Sequence, residues 1–116
     1  MSAIPADWPQ APLDFGTRAD LPEIMDDDGL DPATYAAVIA DLARANTVTL
    51  ARWPTIAWLK RQTPTRITFT LLDVGFGHGD MLRAIARSLR GRGLHAELHG
   101  IDLNPRSAPV AAAATD

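Results

Sequence analysis

The sequence predicts an α/β fold of parallel strands preceded by a helical extension, with a sheet that is short of its full complement. Three observations carry that expectation. A β-branched and apolar run, ITFTLLDV at Ile67–Val74, leads straight into the glycine-rich loop Gly75-Phe76-Gly77-His78-Gly79. A helix-period stretch comes after the loop, and a second apolar run beyond it ends in an acid, Asp102. Strand, glycine loop, helix, strand is the βαβ order, whose crossovers are right-handed and whose strands lie parallel.

The chain has 116 residues, enough for one domain; 47% are hydrophobic and 22% charged, which excludes wholesale disorder and fibrous repeats. No run approaches about 18 consecutive apolar residues, and the first residues carry acids where a secretory signal would carry bases. A cytoplasmic protein without a membrane partner is expected. The absence of cysteine removes disulfides, thiolate metal sites and thiol catalysis together.

Residues 1–31 hold eight acids against one base, Arg18, whereas 32–116 hold six acids against ten bases. Five of the nine prolines fall in or beside that first segment, so 1–30 reads as an acidic, extended arm, with Trp8, Leu13, Phe15, Leu21, Ile24 and Met25 available to anchor it. The run Asp26-Asp27-Asp28 reads as a solvated turn. Residues 31–63 read as the helical extension. Asp31-Pro32 is a helix start, because an aspartate caps free N–H groups and proline at the first helical position loses nothing by lacking its own. Tyr35, Val38, Ile39, Leu42 and Ala45 then give a helix of roughly 32–45 one apolar face. Pro54 divides the next apolar stretch into a short helical piece ending near Arg52 and a new helix that Gln62-Thr63-Pro64 ends.

Residues 64–116 carry the βαβ unit. After the loop, Leu82, Ile85, Ala86 and Leu89 predict a helix over 80–91, stopped by Gly91 and Gly93. Leu94–Leu103 reads as the second strand, and Asn104-Pro105 as another helix start by the logic of Asp31-Pro32. Alternate glycines let the backbone turn sharply and leave main chain open to a ligand. The helix beginning at Asp80 aims its free N–H groups at the same crevice, and Asp102 lies where an acid accepts hydrogen bonds from both ribose hydroxyls. The constellation describes an adenosine-containing ligand.

Leu71–Asp80 (LLDVGFGHGD) resembles the first motif of the class I S-adenosylmethionine-dependent methyltransferases, and Gly100–Pro105 (GIDLNP) resembles the second. The resemblance spans about residues 30–110 and is specific over 71–80 and 100–105. It implies a Rossmann-like methyltransferase fold with S-adenosyl-L-methionine as cofactor and, given the helical extension, a small-molecule methyl acceptor. By the same resemblance Asp73, Gly75, Gly77 and Gly79 border the methionine portion, Asp102 holds the ribose, and Leu103 packs on the adenine. No residue is singled out as catalytic, because methyl transfer depends mainly on alignment. A complete member has a larger sheet than the two strands read here, so the chain is expected to be the amino-terminal portion of such an enzyme. Alone, it is expected to be marginally stable, to bind cofactor weakly, and to associate through its open sheet edge with itself or with a carboxyl-terminal partner.

Two other readings compete. A noncatalytic cofactor-binding remnant or pseudoenzyme would keep the crevice without turnover. A nicotinamide or flavin dinucleotide domain would need glycine or alanine at the last fingerprint position, where this chain has Asp80, a carboxylate that repels pyrophosphate. Elsewhere the expectations are bland. His78 is a solvent-facing loop residue. His95 and His99 share a strand face but lack a third metal ligand. Arg83, Arg87 and Arg90 make a solvated helix face without the aromatics or total charge of a nucleic-acid surface. Tyr35, Trp53 and Trp58 belong to the core before any pocket.

Overall fold

The computed structural model describes residues 16, 25, 27, 29–62, 68–90, 92 and 94–115. The acidic arm lies almost wholly outside the described residues, as do Thr63-Pro64, Ile67 and the predicted glycine stop at 91 and 93. Of the predicted acidic turn, Asp27 is described. Its Oδ1 accepts from the Gly29 N–H at 2.8 Å and its carbonyl accepts from the Leu30 N–H at 3.0 Å. This is an exposed turn closed by its own aspartate.

Helix α1 runs Pro32–Val48. Asp31 caps it as its sequence position requires: Oδ2 accepts from the Thr34 N–H at 2.9 Å and from the Thr34 hydroxyl at 3.1 Å. The helix extends past the expected end, and Thr49–Arg52 form a turn where a separate helical piece was expected. The Ala51 N–H bonds back to the Asn46 carbonyl and the Leu50 N–H to Thr47, with Leu50 left-handed at φ 57°. That pair of bonds is the Schellman termination, here with leucine at the position glycine prefers. The buried face of α1 is also narrower than expected: Tyr35, Ile39 and Ala43 are buried, while Val38, Leu42 and Ala45 are exposed. Tyr35 meets the last helix, its hydroxyl 2.6 Å from the buried Ser107 Oγ. The Arg106 guanidinium sits over the Tyr35 ring at 5.9 Å.

Helix α2, Trp53–Gln62, places Pro54 in its first turn, where the missing N–H is harmless. Only Leu59 is fully buried; Ile56, one turn earlier, packs with it. Trp53 and Trp58 are exposed rather than in the core, because the Ile56–Leu59 stripe claims the inward side and both indoles fall off it.

Strand β1, Thr68–Val74, and strand β2, His95–Ile101, pair parallel with Thr68 opposite His95 and Val74 opposite Ile101. Helix α3, Asp80–Leu89, connects them and lies on the face formed by Phe69, Leu71, Ala96 and Leu98. It ends two residues before the expected limit, with Arg90 already extended. Ile85 and Leu89 are its buried anchors, each contributing about 1.5–3 kcal/mol by leaving water. The opposite sheet face exposes Leu72, Val74 and Ile101.

Helix α4, Ser107–Ala113, starts later than Asn104-Pro105 suggested. The Asn104 side chain is engaged in a turn instead: its Oδ1 accepts from the Arg106 N–H at 3.0 Å, and its Nδ2 donates to the Met25 carbonyl at 3.0 Å. Asn104 therefore does not cap the helix. The chain is thus mixed α/β with a two-stranded parallel sheet among the described residues. No helix among them is long and apolar enough to cross a membrane.

Candidate functional site

At the carboxyl ends of β1 and β2 the backbone is built by the three glycines. Gly75, Gly77 and Gly79 all have positive φ, at 77°, 49° and 74°, a region that side chains strain. A Cβ on Gly75 or Gly77 would meet nothing within 4 Å, so this side of the loop is open to a ligand. A Cβ on Gly79 would lie 3.2 Å from the Ala111 side chain, because α4 packs against it.

The loop is tied to the second strand. The Gly75 N–H donates to the Ile101 carbonyl at 2.7 Å, extending the sheet by one step, and the Gly79 N–H donates to Phe76 at 2.7 Å. The Gly77 N–H donates to Asp102 Oδ2 at 2.8 Å, while Asp102 Oδ1 accepts from the Asn104 N–H at 2.8 Å. A carboxylate offers about four lone-pair sites, so each oxygen retains one. The glycine loop and Asp102, paired from sequence, thus stand together. Leu103 comes next in the chain, at 99% exposure.

Asp73, the penultimate residue of β1, lies on the side that carries α3. Burial raises its carboxyl pKa above the ordinary value, and Asp80 and then Asp102 raise it further. Three carboxylates therefore lie near one another at the loop, Asp80 balanced by Arg52, which leaves Asp73 and Asp102 as the acids facing the open main chain. Asp80 is shared: its Oδ2 accepts from Arg52 at 3.2 Å, and Arg52 also donates to the Thr47 hydroxyl at 2.5 Å. This half-buried pair fastens the α1–α2 turn to the start of α3.

Sequence reasoning missed Arg52 and misplaced two other groups. His78 is half-buried, not solvent-facing; its Nδ1 lies 2.6 Å from the Arg83 guanidinium and accepts from it, which puts the ring proton on Nε2. Burial lowers the His78 pKa, as does Arg83, against a smaller opposing influence of Asp80. Arg83 does not stand on a solvated face: it turns back to the loop and donates to the Ala111 carbonyl at 3.3 Å. Helical periodicity assigns Arg83 to a stripe but says nothing of how far a guanidinium reaches along the helix. Arg87 and Arg90 are exposed as expected. His95 and His99 lie on the exposed sheet face, and no group of three metal-ligating residues occurs among the described residues.

In comparisons with known proteins, no family model, no curated protein and no solved structure matches this chain.

Proposed function

We propose that this crevice binds S-adenosylmethionine and that the encoded activity is methyl transfer to a small-molecule acceptor, in the cytoplasm. The observation that carries the reading is the hydrogen bond from the Gly77 N–H to Asp102, which joins the acid after the second strand to the glycine loop after the first. The residues fit the group. Gly75 and Gly77 leave main chain open, Asp73 with its neighbouring carboxylates favours the cationic amine and sulfonium, and Asp102 has lone pairs left for two ribose hydroxyls. Leu103 offers an apolar surface for the adenine. The cofactor supplies an electrophilic methyl on a positively charged sulfur; this chain's part is to hold it still and aim it.

On this reading the bare face at Leu72, Val74 and Ile101 is where further secondary structure of a methyltransferase domain packs, since parallel sheets are covered on both sides. Asp73 and Asp102 beside the open main chain disfavour the dinucleotide alternative, whose pyrophosphate they would repel; Asp80 is balanced by Arg52.

Titration calorimetry tests the assignment. S-adenosylmethionine should bind saturably and NAD should not, and Asp102→Asn should weaken binding by about tenfold or more, the worth of a hydrogen bond to a charged group. Binding of NAD with S-adenosylmethionine inert overturns the reading. Cofactor binding without methyl transfer to any acceptor identifies the noncatalytic form.

A further inference from the structure

A second site lies beside the glycine crevice, between α1 and α3, and shares Asp80 and Arg83 with the loop's surroundings. A cavity of about 320 Å³ there is lined by Ala43, Arg44, Thr47, Arg52, Asp80, Arg83 and Arg87. Arg44 pairs with Asp41 and Arg52 with Asp80, which leaves Arg83 and Arg87 as two positive charges in excess. The Arg83 guanidinium pKa is lowered chiefly by burial; Asp80 opposes this, and Arg87 and Arg52 add smaller lowering influences.

An adjoining cavity of about 430 Å³ shares Thr47, Arg52 and Arg87 as walls and continues over Leu50, Trp53 and Ile56. One end of the combined groove is cationic; the other presents Leu50, Trp53 and Ile56, with Lys60 also on its wall. Trp53 and Leu50 are exposed along it, although neither is needed to cover the core.

We propose that this groove binds a phosphate monoester with a flat apolar body, the phosphate held among Arg52, Arg83 and Arg87 and the body laid on Trp53. Guanidinium groups match phosphate oxygens in forked pairs, and two excess positive charges suit a dianion better than a singly charged carboxylate. The site borders the glycine loop through Asp80 and Arg83 but uses none of the loop's open main chain.

The test is an NMR titration of the full chain in phosphate-free buffer, following the Trp53 indole N–H and the arginine side-chain N–H signals. The probes are phenyl phosphate, inorganic phosphate and benzoate. Phenyl phosphate should shift the Trp53 and Arg87 signals saturably and bind tightest. Arg87→Ala and Arg87→Gln, both at an exposed helical position, should each weaken it by about tenfold. Trp53→Ala should weaken phenyl phosphate but leave inorganic phosphate unchanged, and Arg61→Ala, at the end of α2 outside the groove, should change nothing. Absence of saturable shifts overturns the proposal, as does benzoate binding tightest. An equal loss in Arg61→Ala reduces the effect to general charge and also overturns it.

Discussion

Asp73 and Asp102 stand at the same end of the sheet, but their surroundings differ. Asp102 accepts two backbone N–H groups, from Gly77 and Asn104. Asp73 is raised by burial and by its two acidic neighbours, so the folded protein holds a proton there at pH values where the unfolded chain has released it. The folded state then binds more protons in that window, and stability falls as pH rises through it. Asp73→Asn removes this cost. Its melting temperature should exceed that of the parent at pH 7, with the advantage fading as pH falls through the raised value toward the ordinary carboxylate value. Affinity for a cationic cofactor should move oppositely, rising with pH through the same window in the parent and lost in the variant. Thermal melts and binding isotherms against pH check both signs. The partnership of the glycine loop with Asp102 was legible in sequence because each comes directly after a strand end. The contact of His78 with Arg83 was not, because it depends on side-chain reach across one helical turn.

Among the elements, the joints are where sequence and structure part. Proline after an aspartate or asparagine has two outcomes here: Asp31 caps α1, whereas Asn104 spends its side chain on a turn and on Met25, and α4 starts at Ser107. Both residue types cap helices, and only tertiary contacts decide between the outcomes. The end of α1 was similarly illegible, since no glycine marks it and Leu50 takes the left-handed position. Leu50→Gly should therefore stabilise the chain by about 0.5–1 kcal/mol, relief of left-handed strain outweighing the added freedom of the unfolded state. Urea denaturation measures it. At the other joint, Gly100 lies under the loop: a Cβ there would sit 2.6 Å from the Phe76 ring and 3.1 Å from Leu82. Gly100→Ala should cost about 1–3 kcal/mol through overpacking, and combining it with Phe76→Ala should recover part of that loss in a double-mutant cycle.

For the whole molecule, the order of strand, loop, helix and strand was readable because the apolar period switches from strand to helix and back at glycines. The sheet's two-sidedness was less so. Ile67–Val74 reads as a strand buried on both faces, yet only Phe69, Leu71 and Asp73 turn toward α3, while Leu72 and Val74 face away uncovered beside Ile101. One face of the sheet is thus covered by α3 and the other bare among the described residues, and the crevice proposed to hold the cofactor opens at the sheet's carboxyl end. Binding of S-adenosylmethionine in that crevice is tested most directly by an amide NMR titration of the chain with the cofactor at neutral pH. Saturable shifts are expected at Gly75, Gly77, Asp102 and Leu103, with the α1–α2 turn unmoved. Shifts confined to other elements, or none at those four amides at saturating cofactor, would contradict a cofactor site there.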